Sequence, residues 1–301
     1  MKMNTSTYAR VAAVFVSRGR PDILGAVVSS MQSQTRPADH IFVVGSQPSD
    51  VALTKAVPGK VTVTVGRVGT CKQRNDALAM LGDDFDYVVF FDDDFVPSRF
   101  WLERMVQVFE SNPDVVGMTG TILDDGTTTA GIPLEQAFSL VKQRDEESPE
   151  RTPLMKSFAY GGNVGCNMAY RLQALKGIQF DENLPKYGWL EDSDVRCQVE
   201  KKGHFAKTQD QWGVHMGHKN GRLNGQMLGY SQVANSLYLA NKGTVPSGYL
   251  KRMIGKNIAA NALRSFAPEP YVDRRGRLKG NVMALTDLLR GQMHPDRISH
   301  M

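Results

Sequence analysis

The chain has 301 residues, of which 41% are hydrophobic and 22% are charged, a composition typical of globular proteins. This length suits one large α/β domain or one domain with an appendage. The first apolar run, Val11–Val16, is too short for a signal peptide core or a membrane span. The three cysteines, Cys71, Cys166 and Cys197, form no C-x-x-C pair, which argues against zinc or redox chemistry. We therefore expect a cytoplasmic protein with buried thiols.

Positive charge is concentrated near the C-terminus. The whole chain carries +5, and residues 251–301 contain ten basic and four acidic residues, a net charge of +6. Apolar and basic residues mix at helical spacing in Leu250–Ile254 and in Val282–Leu289. Such segments either lie on an anionic membrane surface, here the inner face, or form a helical cap with a solvated basic side. We expect a basic helical extension over 246–301 and no nucleic-acid partner.

Strand and helix patterns alternate through the first 120 residues. Apolar runs predict strands at Val11–Val16, Ile41–Val44, Val61–Val65, Asp86–Phe91 and Val115–Thr119. A period of 3.6 predicts helices from Pro21, over Cys71–Leu81 and over 99–110. This alternation predicts an α/β fold, a Rossmann-like and mostly parallel sheet with helices on both faces. Ligands of such sheets bind beyond the carboxyl ends of the strands.

The second half of the chain is less regular. Residues 124–157 are polar and predict a mobile connection with one helix near Leu134–Lys142, and long connections of this kind are often functional. Strand character resumes over Phe158–Tyr170, with an interruption at Gly161-Gly162-Asn163. A further helix is expected from Glu191 to Gly203, since glycine is suited to ending a helix.

Three consecutive aspartates, Asp92, Asp93 and Asp94, follow an apolar run that predicts a strand buried on both faces. Like charges this close repel one another in a partly desolvated site, so we expect a cation among them. A divalent metal with oxygen ligands is the simplest candidate. In an extended chain, Asp92 and Asp94 project to one face and Asp93 to the other. The alternative is a solvated acidic turn at the end of a strand.

A second acidic cluster, Glu191–Asp194, contains a candidate general base, and Trp189 before it is suited to stacking on a sugar ring. Acidic residues at a helix N-terminus are also stabilised by the helix dipole without any catalytic role. Glycines around His215 and His218 argue against a regular helix there. One of these imidazoles either completes a metal site with the aspartates or is structural.

Basic and polar residues lie at the same predicted edge of the sheet. Arg74 and Asn75 precede the aspartate strand, and Ser17, Arg18 and Arg20 follow the first strand. Arginines there suit phosphates, and polar side chains suit a nucleotide base; solvent-exposed charged turns are the alternative. The sequence contains no G-x-G-x-x-G after a strand, no P-loop and no G-x-S-x-G, which argues against dehydrogenases, P-loop NTPases and α/β-hydrolases.

In order and spacing, these motifs resemble those of family 2 glycosyltransferases with the GT-A fold. The matching segments are Val14–Pro21, Gln34–Pro37 with Ile41–Val44, Arg74-Asn75, Phe91–Asp94 with Pro97, Gly188–Asp194 and His215. The resemblance covers roughly residues 10–220. It implies a GT-A catalytic domain over 1–245, with a nucleotide-sugar half over about 1–120 and an acceptor half over about 121–245, followed by the helical extension over 246–301.

The resemblance also implies a reaction. A sugar would pass, with inversion, from a nucleoside diphosphate donor, UDP being favoured, to a hydroxyl of a saccharide or of a lipid-linked saccharide. Asp192 would be the general base, Trp189 and Glu191 would bind the acceptor, and Mn²⁺ or Mg²⁺ would be held by Asp92, Asp94 and His215. The implied contacts to the nucleotide-sugar are Ser17, Arg18, Arg20, Gln47, Arg74, Asn75, Asp92 and Asp93.

The sequence departs from the family pattern at one place. Family members usually have an aspartate just after the second strand, where this chain has Gly45–Asp50, so Gln47 is the candidate substitute. Two other functions account for part of this pattern. A non-catalytic nucleotide-sugar or carbohydrate-binding module would not need a positioned base such as Asp192. Metal-dependent phosphoester hydrolysis would account for the aspartates but not for Asp192.

Overall fold

Residues 8–147, 154–156 and 165–301 are described by a computed structural model. The strands are β1 (Val11–Ser17), β2 (His40–Gly45), β3 (Val61–Val65), β4 (Tyr87–Asp92), β5 (Phe95–Pro97), β6 (Val115–Asp125), β7 (Met155–Lys156), β8 (Asn167–Arg171) and β9 (His204–His215). The helices are α1 (Pro21–Ser30), α2 (Thr70–Leu81), α3 (Trp101–Ser111), α4 (Leu134–Glu147), α5 (Leu172–Leu175), α6 (Glu191–Val199), α7 (Gly225–Lys242), α8 (Ser247–Arg264) and α9 (Arg274–Leu289).

The strands form one mixed sheet in the order β3-β2-β1-β4-β8-β6-β9-β5, and β7 pairs with β9. The run β3-β2-β1-β4 is parallel, β8 is antiparallel to both β4 and β6, and β6 is parallel to β9. The predicted α/β fold is therefore confirmed. Because β1, β2 and β4 run the same way, their last residues, Ser17, Gly45 and Asp92, meet at one edge of the sheet.

Strand β4 is buried on both faces, as its unbroken apolar run predicts. On one face Phe91 packs against Phe15, with ring centroids 5.6 Å apart, and against Trp101 at 4.8 Å. On the other face Phe90 packs against Phe180, with centroids 5.2 Å apart. Two hydrophobic cores thus enclose the strand that carries the aspartates, and the three cysteines are buried, as predicted.

Several boundaries differ from the sequence prediction. Strand β6 continues to Asp125, and α4 continues to Glu147, so the predicted polar connection is partly regular structure. The predicted interruption at Gly161-Gly162-Asn163 and residues 148–153 lie outside the described residues. The helix beginning at Glu191 is confirmed, but it ends at Val199, and a 3-10 turn leads to Gly203.

Helices α7, α8 and α9 pack together beyond the sheet. Tyr230, Val233 and Ala234 of α7 share a core with Ala284 of α9 and with Ile298. The sequence predicts a helical extension from residue 246, and the structure shows that α7, which begins at Gly225, packs along α9. None of the helices that the structure describes is both long enough and apolar enough to cross a bilayer.

Candidate active site

Asp92, Asp94 and His215 come together at the carboxyl edge of the sheet. Asp92 ends β4, Asp94 lies in the turn to β5, and His215 is the last residue of β9, opposite Phe95. One ligand atom from each of the three lies within 4.8 Å of the other two. The structure thus groups the three residues predicted as metal ligands. His218 contacts this group through its backbone amide, which donates a hydrogen bond to Asp94 Oδ2 at 2.8 Å.

A carboxylate that the sequence prediction missed contacts His215. Asp125 ends β6, is the register partner of His215, and places Oδ1 3.2 Å from its Nδ1. The other ring nitrogen, Nε2, lies 3.4 Å from Asp94 Oδ1. A carboxylate at Nδ1 orients the ring and directs Nε2 to a cation, an arrangement common in protein metal sites.

A glycine permits this close approach of two strand ends. Gly217 has a φ of +66°, and a Cβ atom on it would lie 2.1 Å from the carbonyl carbon of Gly126. Any other residue would therefore force apart the ends of β6 and β9. The glycines beside His215, which argued against a helix in the sequence, were the available signal for this tight packing.

The donor set fits a divalent cation, since carboxylate oxygens and an imidazole suit Mn²⁺ and Mg²⁺ binding. Burial disfavours the charged form of His215, but hydrogen bonds to Asp125 and Asp94 outweigh burial and raise the pKa of His215 to about 10. Burial likewise opposes ionisation of Asp94, but His215 and Arg20 hold the pKa of Asp94 well below its usual range. The group formed by Asp92, Asp94 and His215 thus attracts positive charge, and a bound cation would displace the proton from the imidazole of His215.

Asp93 is directed away from this group and toward the β1 loop. Its carboxylate accepts hydrogen bonds from Ser17 Oγ at 2.5 Å and from Arg20 Nη1 at 2.6 Å. Arg20 Nη1 also lies 3.1 Å from Asp94 Oδ2, and Nη2 donates to the backbone oxygen of His218. Burial raises the pKa of Asp93 to about 7, while Arg20 acts in the opposite direction. Arg20 therefore ties the β1 loop to the segment after β9.

Arg74 joins the two acidic clusters. Its Nη1 is ion-paired with Glu191, and its Nη2 lies 3.0 Å from Asp92 and 3.2 Å from the backbone oxygen of Gly165. The guanidinium is fully buried and lies over the ring of Phe180, 5.3 Å from its centroid. Burial raises the pKa of Glu191 to about 8, while Arg74 acts in the opposite direction. Arg74 thus holds the end of β4 beside the start of α6.

Asn75, Gln47 and Arg18 were also predicted to contact the nucleotide-sugar, and each has a different environment in the structure. The Asn75 amide is bonded to both backbone groups of Phe180, accepting at 2.9 Å and donating at 2.8 Å, so it holds α2 against the segment before α6. Gln47 is exposed, and its side chain donates to the fully buried Asp50 at 3.3 Å. The Asp50 carboxylate also accepts from backbone amides of the loops after β1 and β2. Arg18 is exposed on the β1 loop.

Asp192 lies in the first turn of α6, next to Glu191. Its Oδ1 accepts a hydrogen bond from the backbone amide of Ser193 at 2.7 Å. A Cβ atom on Gly165 would lie 3.5 Å from its Oδ2, so a residue without a side chain adjoins the carboxylate. Burial raises the pKa of Asp192, and the charge of Asp92 acts in the same direction. A raised pKa makes the ionised carboxylate a stronger base.

The loop before α6 has an unusual backbone. Lys186, Gly188 and Leu190 all have positive φ, of 57°, 68° and 74°. Residues other than glycine rarely adopt this conformation, and where they do the strain is often at functional sites. The backbone oxygen of Lys186 accepts from the amide of Thr70 at 2.8 Å, which fixes the loop to the start of α2.

The two aromatic residues of this loop differ in their exposure. The predicted stacking residue Trp189 packs against the core, and its Nε1 atom is buried. Tyr187 is instead 51% exposed. The sequence pattern does not show which of the two rings is exposed, because strand and helix periodicity do not fix the φ angles of a loop.

The sequence model of one protein family matches this chain. It is the model for glycosyl transferase family 2, and it matches residues 13–178, more than half of the chain. The chain belongs to glycosyl transferase family 2. It is therefore a glycosyltransferase that uses a nucleotide-sugar donor, and the resemblance carried by its motifs is confirmed. Among curated proteins, none matches the sequence of this family 2 member.

Solved structures of similar fold include a mannosyltransferase and two structures of S. aureus TarS. The mannosyltransferase PcManGT from Pyrobaculum calidifontis, solved with GDP-Man and Mn²⁺, has a TM-score of 0.57 at 16% identity, covering 97% of this chain and 86% of that chain. S. aureus TarS 1-349 has a TM-score of 0.57 at 14% identity, covering 96% of this chain and 82% of that chain.

The longer TarS structure has a TM-score of 0.54 at 14% identity, covering 86% of this chain. This chain spans only 44% of the length of that TarS chain. At these identities the likeness shows the fold of the family 2 member, and the predicted GT-A fold is confirmed.

Proposed function

We propose that this family 2 member is an inverting glycosyltransferase that moves a sugar from a nucleoside diphosphate to a hydroxyl of a saccharide or lipid-linked saccharide. The observation that carries the proposal is the position of Arg74 between Asp92 and Glu191. This pairing supports the proposal, because it brings the end of β4, which carries the candidate metal ligand Asp92, next to the start of α6, which carries the candidate base Asp192. A non-catalytic binding module has no need of this juxtaposition.

Asp92, Asp94 and His215 would hold Mn²⁺ or Mg²⁺ on the donor side. When bound there, the cation neutralises the negative charge that develops on the departing diphosphate. The Mn²⁺ in the PcManGT structure supports this assignment. Arg18, exposed on the β1 loop, would contact the donor phosphates, while Arg20 and Asp93 would keep that loop beside the metal ligands.

Asp192 would take the proton of the acceptor hydroxyl as its oxygen attacks the anomeric carbon. The new C–O bond forms while the bond to the diphosphate breaks, and the electron pair leaves with the diphosphate. A single displacement inverts the anomeric configuration and needs one base but no protein nucleophile. The raised pKa of Asp192 supports this role, because it strengthens the base.

UDP remains our proposal for the nucleotide, as the family resemblance implies, and the GDP-Man of PcManGT makes GDP-sugars the first competitors to test. Thermal-shift measurements with UDP-sugars and GDP-sugars, each with Mn²⁺, would identify the donor. We expect one UDP-sugar to raise the unfolding temperature. Stabilisation by a GDP-sugar alone would contradict the UDP assignment while leaving the reaction type intact.

The reaction type is tested by release of the nucleoside diphosphate in the presence of candidate saccharide acceptors and by NMR of the product. We expect nucleotide release to depend on the acceptor and the new linkage to have the anomeric configuration opposite to that of the donor. Donor binding without release, in the presence of every acceptor class tested, would favour a binding module. Retention of configuration would remove the single-displacement mechanism.

The division into domains also remains a proposal. The candidate donor contacts lie within residues 1–120, apart from His215, and the candidate base lies within the proposed acceptor half, 121–245. We propose that residues 246–301 act as an extension that does not contribute to the reaction itself.

A further inference from the structure

The outer side of α9 is apolar, although it lies at the surface of the protein. Val282 is 55% exposed, Leu285 37% and Leu289 88%. Together with Leu278 they recur at intervals of three and four residues and so lie on one side of the helix. We name these four side chains the outer α9 face.

The opposite side of α9, which packs on α7, is small or polar. Its buried residues are Gly280, Asn281, Ala284 and Asp287. Asn281 Nδ2 donates to the backbone oxygen of Gly229 at 2.7 Å, and Asp287 accepts from the hydroxyl of Tyr230 at 3.0 Å. A helix between a protein core and water normally has the reverse arrangement, with its leucines inside. The pattern of α9 therefore suits an outer surface from which water is excluded.

The packing against α7 prevents α9 from turning its leucines inward. A Cβ atom on Gly280 would lie 2.0 Å from the backbone oxygen of Gln226, and one on Gly229 would lie 2.0 Å from the backbone oxygen of Arg277. The two helix backbones are thus in contact, and only glycine fits at the crossing. A rotation that buried Leu289 would bring larger side chains to this contact, so the outer α9 face is fixed by the fold.

The apolar surface continues onto the segment before α9. Phe266, 87% exposed, lines an open groove of about 610 Å³ together with Leu278 and Val282. Arg275 and Lys279 line the same groove. Apolar and basic side chains are therefore contiguous on this side of the molecule.

The charge around this surface is predominantly positive, although Asp273, which caps α9 by accepting from the amide of Gly276, is an exposed acidic residue. Helices α8 and α9 contain eight basic residues and one acidic residue, Asp287, which is buried on the inner side. In the connection between them, Glu269 is paired with Arg264 and with Arg274, the latter at 2.8 Å. On α8, Arg252 and Lys256 are exposed. An anionic partner is the electrostatic complement of such a surface.

We propose that the outer α9 face, with Phe266, Arg275 and Lys279, docks this protein onto an anionic membrane surface. The apolar side chains enter the headgroup region, and the basic side chains pair with lipid phosphates. A second copy of the chain is a poorer occupant, because a symmetric interface would place the same basic residues opposite one another. Leu250 of the other predicted segment is buried, so the docking surface belongs to α9.

Co-sedimentation with lipid vesicles tests this proposal without measuring sugar transfer. The membrane proposal can therefore fail while the proposed function stands, and the reverse. We expect the full chain to bind vesicles of phosphatidylcholine mixed with phosphatidylglycerol but not vesicles of phosphatidylcholine alone. Added salt should release the bound protein from the mixed vesicles. The double variant Val282→Glu/Leu289→Glu should lose binding. Its control is Leu53→Glu/Met80→Glu, which changes two exposed apolar residues elsewhere on the protein, 51% and 37% exposed, and should bind normally.

A second double variant, Arg275→Ala/Lys279→Ala, should weaken vesicle binding about twenty-five-fold, since each basic residue at an anionic surface contributes about a factor of five. The matched control is Lys60→Ala/Lys142→Ala, which removes two exposed charges elsewhere. Unchanged unfolding temperatures would show that all variants are folded. Equal binding to both vesicle types, binding by the Val282→Glu/Leu289→Glu variant, or a dimer that this variant dissociates would each overturn the proposal.

Discussion

The Nδ1 atom of His215 lies 3.2 Å from Oδ1 of Asp125, and these two residues end neighbouring parallel strands. Because Nε2 of the same ring lies beside Asp94, the imidazole is held at both nitrogens. Asp125 is therefore a positioning residue that acts through His215. Its role can be measured separately from sugar transfer, because it concerns the affinity for a cation.

Replacing Asp125 by asparagine should weaken Mn²⁺ binding about tenfold to a hundredfold, the usual effect of removing a carboxylate that orients a histidine ligand. Isothermal titration calorimetry or Mn²⁺ electron paramagnetic resonance would measure the affinity. Asp124→Asn is the matched control, since Asp124 is its exposed neighbour in the chain. Equal Mn²⁺ affinity in the two variants would show that Asp125 does not position a metal ligand.

Replacing Asp192 by asparagine should lower kcat at least about a hundredfold, because the amide cannot accept the acceptor proton. The affinity for the donor should stay unchanged, since Asp192 is placed on the acceptor side. Steady-state kinetics and calorimetric titration of the donor measure the two quantities. Asp22→Asn, an exposed change in the first turn of α1, serves as the control. A variant with full transfer rate would exclude Asp192 as the base.

The pH dependence of kcat should reflect the raised pKa of Asp192. The ionised carboxylate is the base, so kcat should rise with pH through a value above the ordinary aspartate pKa of about 3.9. An acidic limb centred at or below that ordinary value would contradict the raised pKa.

The same shift predicts an effect on stability. The folded state binds the Asp192 proton more tightly than the unfolded state does, so stability from this group falls as the pH rises from about 3.9 through the raised value. Urea unfolding across that pH range should show a smaller decline in Asp192→Asn than in the parent protein. Identical declines in both proteins would assign the pH effect to other groups.

Replacing Arg74 by methionine should lower the free energy of unfolding by about 3–5 kcal/mol, because Glu191 and Asp92 would lose their buried partner. Urea unfolding measures the change. Arg67→Met is the control, since Arg67 also pairs with two carboxylates but is 52% exposed, so its loss should be much smaller. Equal losses in the two variants would contradict a structural role for Arg74.

Replacing Tyr187 by alanine should raise the KM for a saccharide acceptor about threefold to tenfold, the effect expected for loss of one aromatic contact. Tyr187→Phe keeps the ring and should keep most of the affinity. Trp189→Phe should mainly lower stability, because Trp189 packs against the core. A larger effect on KM from the change at Trp189 than from Tyr187→Ala would support Trp189, the residue that the sequence predicts, as the acceptor contact.

The fold and the first acidic group were predictable because they depend on short-range patterns. The apolar run before Asp92 predicts a buried strand, and parallel strands must deliver their carboxyl ends to the same edge. The glycines around His215 argue against a helix there, and the structure shows that His215 ends β9. These inferences require only local periodicity and the rules of parallel sheets.

The remaining features depend on long-range register and on loop conformation. Asp125 faces His215 only because β6 and β9 are neighbours, although the two residues are 90 positions apart in the sequence. Tyr187 is more exposed than Trp189 in a loop with positive φ values, which periodicity does not predict. The spacing of Val282–Leu289 defines two helix sides but not which of them meets the protein, and Gly280 decides that question through its contact with α7.

The place of β9 in the sheet has a consequence for the order in which the protein folds. His215 follows Asp94 by 121 residues, and β9 must insert between β6 and β5, two strands made earlier. Closing so long a loop is slow, so the parallel strands β1 to β4 can pair before the imidazole arrives. During refolding, cation binding should therefore lag behind assembly of the first strands and report the moment at which β9 enters the sheet.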